Sequence, residues 1–217
     1  WASQIEQLAG DRPVVFMNSY QKASKFSFLT GRFSHTFNSV RYRKNQYDLW
    51  DNEERVQGEE VFFMPNNDVF SLPFINHAEI DSFKTSWGEY MYYAVVKDYT
   101  TYNKVAIEFT ITSPGKDAPP CVSKIHLTNP YPYDINISQK GQKPVHFVAT
   151  IFDKKMREGY EEYLITEDIR LAPGEQRDIP ISVPMPEEPG VYYISIGLAV
   201  DWLPPAYNSK FQKIIIE

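Results

Sequence analysis

At 217 residues the chain can hold one large domain or two small ones with a proper core, and 42% hydrophobic against 23% charged residues excludes a disordered polymer. A net charge of −6 argues against a general nucleic-acid binder, and a lone cysteine, Cys121, excludes an internal disulfide framework. No apolar run reaches the ~20 residues that span a bilayer. The chain opens on Trp1 rather than Met, which is expected of a fragment or mature form whose upstream part was removed.

Trp1 to Leu8 places Trp1, Ile5 and Leu8 at the spacing of one helical face. A Trp there also suits the interfacial end of an upstream membrane helix. Pro13 and Asn18 bound a short apolar run, Val14-Val15-Phe16-Met17, which has the length and composition of a buried strand. Ser19 then suits a helix N-cap, Tyr20 to Leu29 has helical character, and Gly31 stands where a C-terminal glycine would. Ala23, Phe26 and either Leu29 or Thr30 are expected to face inward, with Lys22 and Lys25 near one another on the surface.

Phe33 to Val40 reads as a second extended segment. Asn45 to Gln57 reads as a helix with Leu49, Trp50 and Val56 as its apolar positions, stopped by Gly58. Val61 to Met64, inside Glu60 to Pro65, is a third short apolar run. Residues 1–70 therefore read as a small α/β unit with βαβαβ-like alternation. Residues 71–98, with Pro73, read as a connection followed by a first strand, Tyr90 to Val96.

The pattern then changes. Val105, Ile107, Phe109 and Ile111 alternate with Ala106, Glu108, Thr110 and Thr112, the two-residue period of a half-buried strand. Further short strands are expected near 122–128, 144–152, 162–170, 177–183, 190–200 and 210–216. Pro and Gly punctuate them at Pro114-Gly115, Pro119-Pro120, Pro173-Gly174, Pro189-Gly190 and Pro204-Pro205. The predicted fold class is thus α/β plus all-β: a small α/β unit, then an immunoglobulin-like β-sandwich over 99–217 without the Cys pair of antibody domains.

The chemistry concentrates in one stretch. Arg41, Arg43 and Lys44 lie within four residues, followed by Gln46, Tyr47 and Trp50. Arg and Lys can hold a phosphate, by fork geometry or as a point charge, or pair with the acids that follow. Tyr47 and Trp50 are three apart and on a helix would share a face. Tyr20, Lys22 and Lys25 follow the first strand and are expected to join the same edge, where α/β folds bind ligands. These nine residues form the candidate binding surface. The carboxylates Asp48, Asp51, Glu53, Glu54, Glu59 and Glu60 contain pairs that could act as acid and base, although such clusters more often make a solvated helix face.

Four histidines, His35, His77, His126 and His146, show no metal-ligand spacing, and the glycine-rich and nucleophile motifs are missing from the sequence. Cys121 has no local signature of a nucleophile. No metal and no cofactor is implied. Asn136-Ile137-Ser138 matches a glycosylation sequon, a weak pattern.

The segments PVVFMNSYQKASKFSFLTG, RKNQYDLW and VFFM together resemble the soluble C-terminal region of bacterial membrane glycosyltransferases of the protein O-mannosyltransferase and aminoarabinose-transferase type. The resemblance covers mainly residues 12–65. It implies a parent with a many-spanning membrane domain, a polyprenyl-phosphate-linked sugar donor and a periplasmic or other extracytoplasmic location. The implied partners are the upstream transmembrane domain and a lipid-linked sugar or its acceptor. The family's catalytic carboxylate lies in the membrane domain, so no catalytic residue is carried over and this chain is expected to be inactive by itself. The alternative is a carbohydrate- or protein-binding β-sandwich module of a secreted or surface protein.

Overall fold

The computed structural model describes residues 1–67, 70, 75, 79–112, 122–156 and 159–217. Pro73, His77, Pro114-Gly115, Pro119-Pro120 and Cys121 lie outside the described residues. The chain is mostly strand and divides into two compact units, Trp1–Asn103 with Trp202–Pro204, and Lys104–Asp201 with Pro205–Glu217. Among the described residues no helix is long and apolar enough to cross a membrane.

In the first unit, helix α1 (Ala2–Ala9) precedes strand β1 (Val14–Met17), helix α2 (Tyr20–Thr30) and strand β2 (Ser34–Phe37). Strand β3 (Val61–Met64) follows, then β4 (Asp81–Lys84) and β5 (Tyr90–Val96). The sheet order is β2-β1-β3-β5-β4, with β1 parallel to β2 and β3, and β5 antiparallel to β3 and β4. All four residues of β1, β2 and β3 are buried, as expected of parallel strands covered on both faces. Val14, Phe16, Phe62 and Met64 pack with Ala2, Ile5 and Ala9 of α1 and with Ala23 and Phe26 of α2. Phe63 meets Phe37, Tyr99 and Trp202 at ring-centroid distances of 6.3, 6.2 and 5.5 Å. Such aromatic contacts add to area burial on this side of β3.

Local signals set α2. The Ser19 hydroxyl accepts a hydrogen bond from the Lys22 backbone N–H, and Gly31 closes the helix at φ 70°, a conformation that costs glycine little. Ser19→Ala is expected to cost about 1 kcal/mol, the usual worth of such a cap. Equal urea midpoints for the two proteins would show that the cap contributes nothing.

Three expectations are corrected in this unit. Ala9, not Leu8, completes the inner face of α1; Leu8 is exposed. The segment 45–57 is not one helix but two 3-10 turns, Gln46–Asp48 and Glu53–Arg55. Asn45 and Asp48 explain the first: the Asn45 side chain accepts from the Tyr47 N–H, and Asp48 accepts from the Asn45 N–H at 2.6 Å. These local bonds compete with the helical ladder. Leu49 and Trp50 are consequently exposed, while Val56 is buried. Within 71–98 the strand expected at Tyr90–Val96 is β5, but the described part before it also holds a strand, β4, and the two extend the parallel strands as an antiparallel pair. The sheet of the first unit thus reaches past residue 70.

The second unit holds β6 (Ala106–Phe109), β7 (Lys124–Thr128), β8 (Ile135–Ile137) and β9 (Val145–Phe152). It continues with β10 (Gly159–Leu164), β11 (Ile169–Leu171), β12 (Gln176–Pro180), β13 (Gly190–Val200) and β14 (Gln212–Ile216). They form sheets of order β10-β9-β13-β14, β12-β7-β6 and β11-β8, and every described pairing here is antiparallel. The expected strand at 162–170 is two strands in different sheets, and β8 stands where only a loop is expected. Its centre, Asn136 of the sequon, is exposed between buried Ile135 and Ile137. Buried amides hold the loops. The Asn129 side chain donates to the carbonyls of Tyr133, Leu171 and Ala172 and accepts from the Tyr131 N–H. That of Asn208 accepts from the Leu198 N–H and donates to the Val105 carbonyl.

Candidate functional site

Strands β1 and β3 run side by side, with Phe16 opposite Met64, and both chains leave the sheet at the same end. At that end Asn18 takes φ 53° and Ser19 caps α2, while Pro65, Asn66 and Asn67 follow β3. A cavity of about 440 Å³ opens there, and Tyr90 and Tyr92 of β5 close its far side. The carboxyl ends of parallel strands are where open α/β sheets place ligands.

The lining has a definite chemistry. Asn18 is fixed by Ser39: its Nδ2 donates to Ser39 Oγ at 2.9 Å and its Oδ1 accepts from the Ser39 N–H at 2.8 Å. Lys22 brings an ammonium into the first turn of α2, which contains no acidic residue. The helix N-terminus adds a partial positive charge. Among the described lining residues none is acidic. Carboxamides, phenols and one ammonium suit hydroxyl-rich or anionic ligands; they offer no carboxylate pair for glycoside hydrolysis.

The nine candidate residues do not form a single constellation. Lys22 lines this cavity, but Lys25 lines a second one of about 390 Å³ with Glu6, Leu29 and Trp87. Arg43 meets Tyr20: the guanidinium donates to the Tyr20 hydroxyl at 3.0 Å and lies 5.5 Å from its ring centre. Tyr47 and Trp50 pair their rings 5.3 Å apart. Tyr47 itself is buried, with its hydroxyl 3.1 Å from Ser24 Oγ on α2 and its ring 6.1 Å from that of His35. Arg41, Lys44 and Gln46 are exposed.

Two of the 48–54 carboxylates are committed to holding the fold. Asp48 accepts from Asn38 Nδ2 at 2.9 Å in addition to the Asn45 N–H. Glu53 is buried and accepts from Thr101 Oγ1 at 2.7 Å and from the Asn103 N–H at 3.0 Å. Burial and then the Glu53 carboxylate push the neighbouring Tyr99 phenol well up. Glu60 pairs with Arg12 at 2.6 Å. Among the described histidines, His126 lies 3.0 Å from Asp178, which Lys124 and then His126 hold below the usual carboxylate range. His35 is buried on β2, and His146 packs its ring against Tyr163.

Sequence reasoning passed over Asn18, Asn66, Asn67, Tyr90 and Tyr92. A signal existed for the first three, because they directly follow the two apolar runs that become adjacent parallel strands. The tyrosines depended on the long-range pairing of β5 with β3.

No protein-family model matches the chain, and no curated protein does. Among solved structures it is similar to the ApaA protein of Bordetella pertussis, at 13% identity and a TM-score of 0.28, over 54% of this chain and 93% of that one. It is also similar to the structural-genomics target SoR45, at 14% identity and a TM-score of 0.25, over 52% and 80%. Likenesses of this size leave the fold to rest on the strand pairing described above.

Proposed function

We propose that this chain is the non-catalytic extracytoplasmic domain of a membrane glycosyltransferase that uses a polyprenyl-phosphate-linked sugar, and that it positions the sugar phosphate or its acceptor. On this reading it works on the periplasmic face beside a transmembrane domain of the same polypeptide. Its second unit is an immunoglobulin-like sandwich.

A coincidence of place carries the reading. The cavity at the ends of β1 and β3 is built by Asn18, Ser19, Lys22 and Met64. All four fall inside the segments PVVFMNSYQKASKFSFLTG and VFFM that resemble the transferase family. The lining suits the implied ligand, with amides and phenols for sugar hydroxyls and an ammonium for phosphate. Asp48 and Glu53 are engaged in structural hydrogen bonds, which supports a positioning role over a hydrolytic one.

Titration of the purified chain with mannose 1-phosphate and with mannose tests the proposal. The phosphate ester is expected to bind more tightly, and Lys22→Ala to weaken it by roughly tenfold or more, the worth of one charge-assisted hydrogen bond. Equal binding of both sugars, indifferent to Lys22→Ala, would overturn the proposal and favour a plain carbohydrate-binding module. Robust sugar transfer by the chain alone would also overturn it.

A further inference from the structure

Charge is segregated along this chain. Residues 12–47 contain seven of its 22 Lys and Arg and none of its 28 Asp and Glu. Arg12 is spent on Glu60, and Arg32 donates to the backbone carbonyls of Glu6 and Arg12. Lys22, Lys25, Arg41, Arg43 and Lys44 are all exposed to solvent, in a chain whose net charge is −6.

Apolar side chains stand among them. On α2, Ala23 and Phe26 are buried, while Gln21, Lys22, Ser24, Lys25, Phe28 and Leu29 are exposed. The 3.6-residue period gathers those six on one broad outward arc with Lys25 near its middle. Phe28 is 87% exposed and Leu29 54%. One flank of the arc carries Trp87, which is 73% exposed in the turn between β4 and β5 and lines a cavity with Lys25 and Leu29. The other flank carries Tyr47, in contact with Ser24, and the exposed Trp50 beside it.

We propose that the outward arc of α2, flanked by Trp87 and Trp50, docks on a lipid bilayer rich in anionic headgroups. Phe28 and Leu29 supply the apolar insertion and the tryptophans suit the headgroup level. Lys25 and Arg43 reach anionic headgroups on long stems while their apolar parts stay against the acyl boundary. Charge complementarity selects this occupant. The α2 arc carries lysines among exposed apolar side chains and no acid, which fits a headgroup layer better than the core of a protein interface, where lysine is depleted. The acids such a surface must tolerate stand at its margins: Glu6 beside Lys25 in the cavity, Glu89 two residues after Trp87, and Asp51 next to Trp50. The inference needs no transferase parent and does not use the cavity at the ends of β1 and β3.

Co-sedimentation of the purified chain with vesicles of phosphatidylcholine alone, or mixed with phosphatidylglycerol, tests it. Binding is expected only to the mixed vesicles, with a blue shift of tryptophan fluorescence that Trp87→Phe diminishes. Added salt is expected to release the chain, because exposed charges are screened beyond about 10 Å at 0.1 M. Lys25→Glu should lower partitioning by more than the roughly fivefold worth of one neutralised cation. Phe28→Ser should lower it with salt sensitivity retained. All three substituted positions are exposed, so circular dichroism should match the parent. Equal binding to both vesicle types would overturn the proposal, as would unchanged binding of Lys25→Glu and Phe28→Ser. Capture by poly-glutamate without any vesicle binding would assign the patch to an acidic protein instead.

Discussion

Glu53→Ala should lower the unfolding free energy by about 3 kcal/mol, because bonds to a charged acceptor are each worth roughly 1.5–3 kcal/mol. The side chain is 2% exposed, and its carboxylate takes the Thr101 hydroxyl and the Asn103 N–H. Gln57 holds the same segment, donating to the Thr101 carbonyl and accepting from its N–H. Together they dock residues 99–103, and with them Tyr99 against Phe63. Removing the carboxylate leaves buried donors without an acceptor, the costly way to lose a hydrogen bond. Glu53→Gln keeps an acceptor oxygen and should lose less. A catalytic carboxylate behaves in the opposite sense, since replacing one commonly leaves stability unchanged or raises it. A Glu53→Ala protein with the parent's urea midpoint would therefore sink the structural assignment and return the 48–54 acids to consideration as an active site.

The same residues show what local sequence can and cannot disclose. The run from Pro13 to Gly31 was legible because each of its signals acts within a few positions: an apolar tetrad, a serine cap, a glycine stop. The segment 45–57 misled because its apolar residues have helical spacing while Asn45 and Asp48 satisfy the backbone locally and shorten the turn. Glu53 looks like a surface acid until Thr101 and Asn103, about fifty positions away, close over it. The limit of the first sheet was hidden for a related reason. Nothing near Tyr90 says that β5 will pair with β3 rather than with the strands that follow it. In the second unit the alternation at Val105 to Ile111 was readable, but the three-residue β8 is too short to show a period. The candidate cavity combines residues after β1, residues after β3 and residues of β5, so only its first two parts had any signature in the sequence.

Acidification should weaken the fold through His35. The imidazole is buried on β2, and neither ring nitrogen has a hydrogen-bond partner among the described residues. Burial alone lowers its pKa from 6.5 to about 4. The sign follows from which state binds the proton. Between pH 6.5 and 4 the unfolded chain protonates this histidine while the native protein keeps it neutral, so stability falls as pH falls. Above pH 6.5 both states are neutral and the full stability is present. Below pH 4 both are charged and the loss from this residue levels off. A tenfold difference in proton affinity between the two states is worth about 1.4 kcal/mol, so the loss across the window is about 3 kcal/mol. Burial lowers the His146 pKa too, which adds to the loss in the same direction. The carboxylates held below their usual range, Asp168 and Asp178 among them, add to the loss in the same direction at the acid end of this window, where the unfolded chain begins to bind their protons before the native protein does. His35→Leu removes the titrating group and also two unpartnered polar atoms. It should hold its stability at pH 7 to within about 1.5 kcal/mol, as core swaps of similar volume do. Urea unfolding at several pH values between 7 and 4 then separates the causes. The parent should lose about 3 kcal/mol or more, and the His35→Leu protein should keep only the shallower dependence due to His146 and the depressed carboxylates. The same steep slope in both proteins would show that His35 is not what makes the fold acid-sensitive.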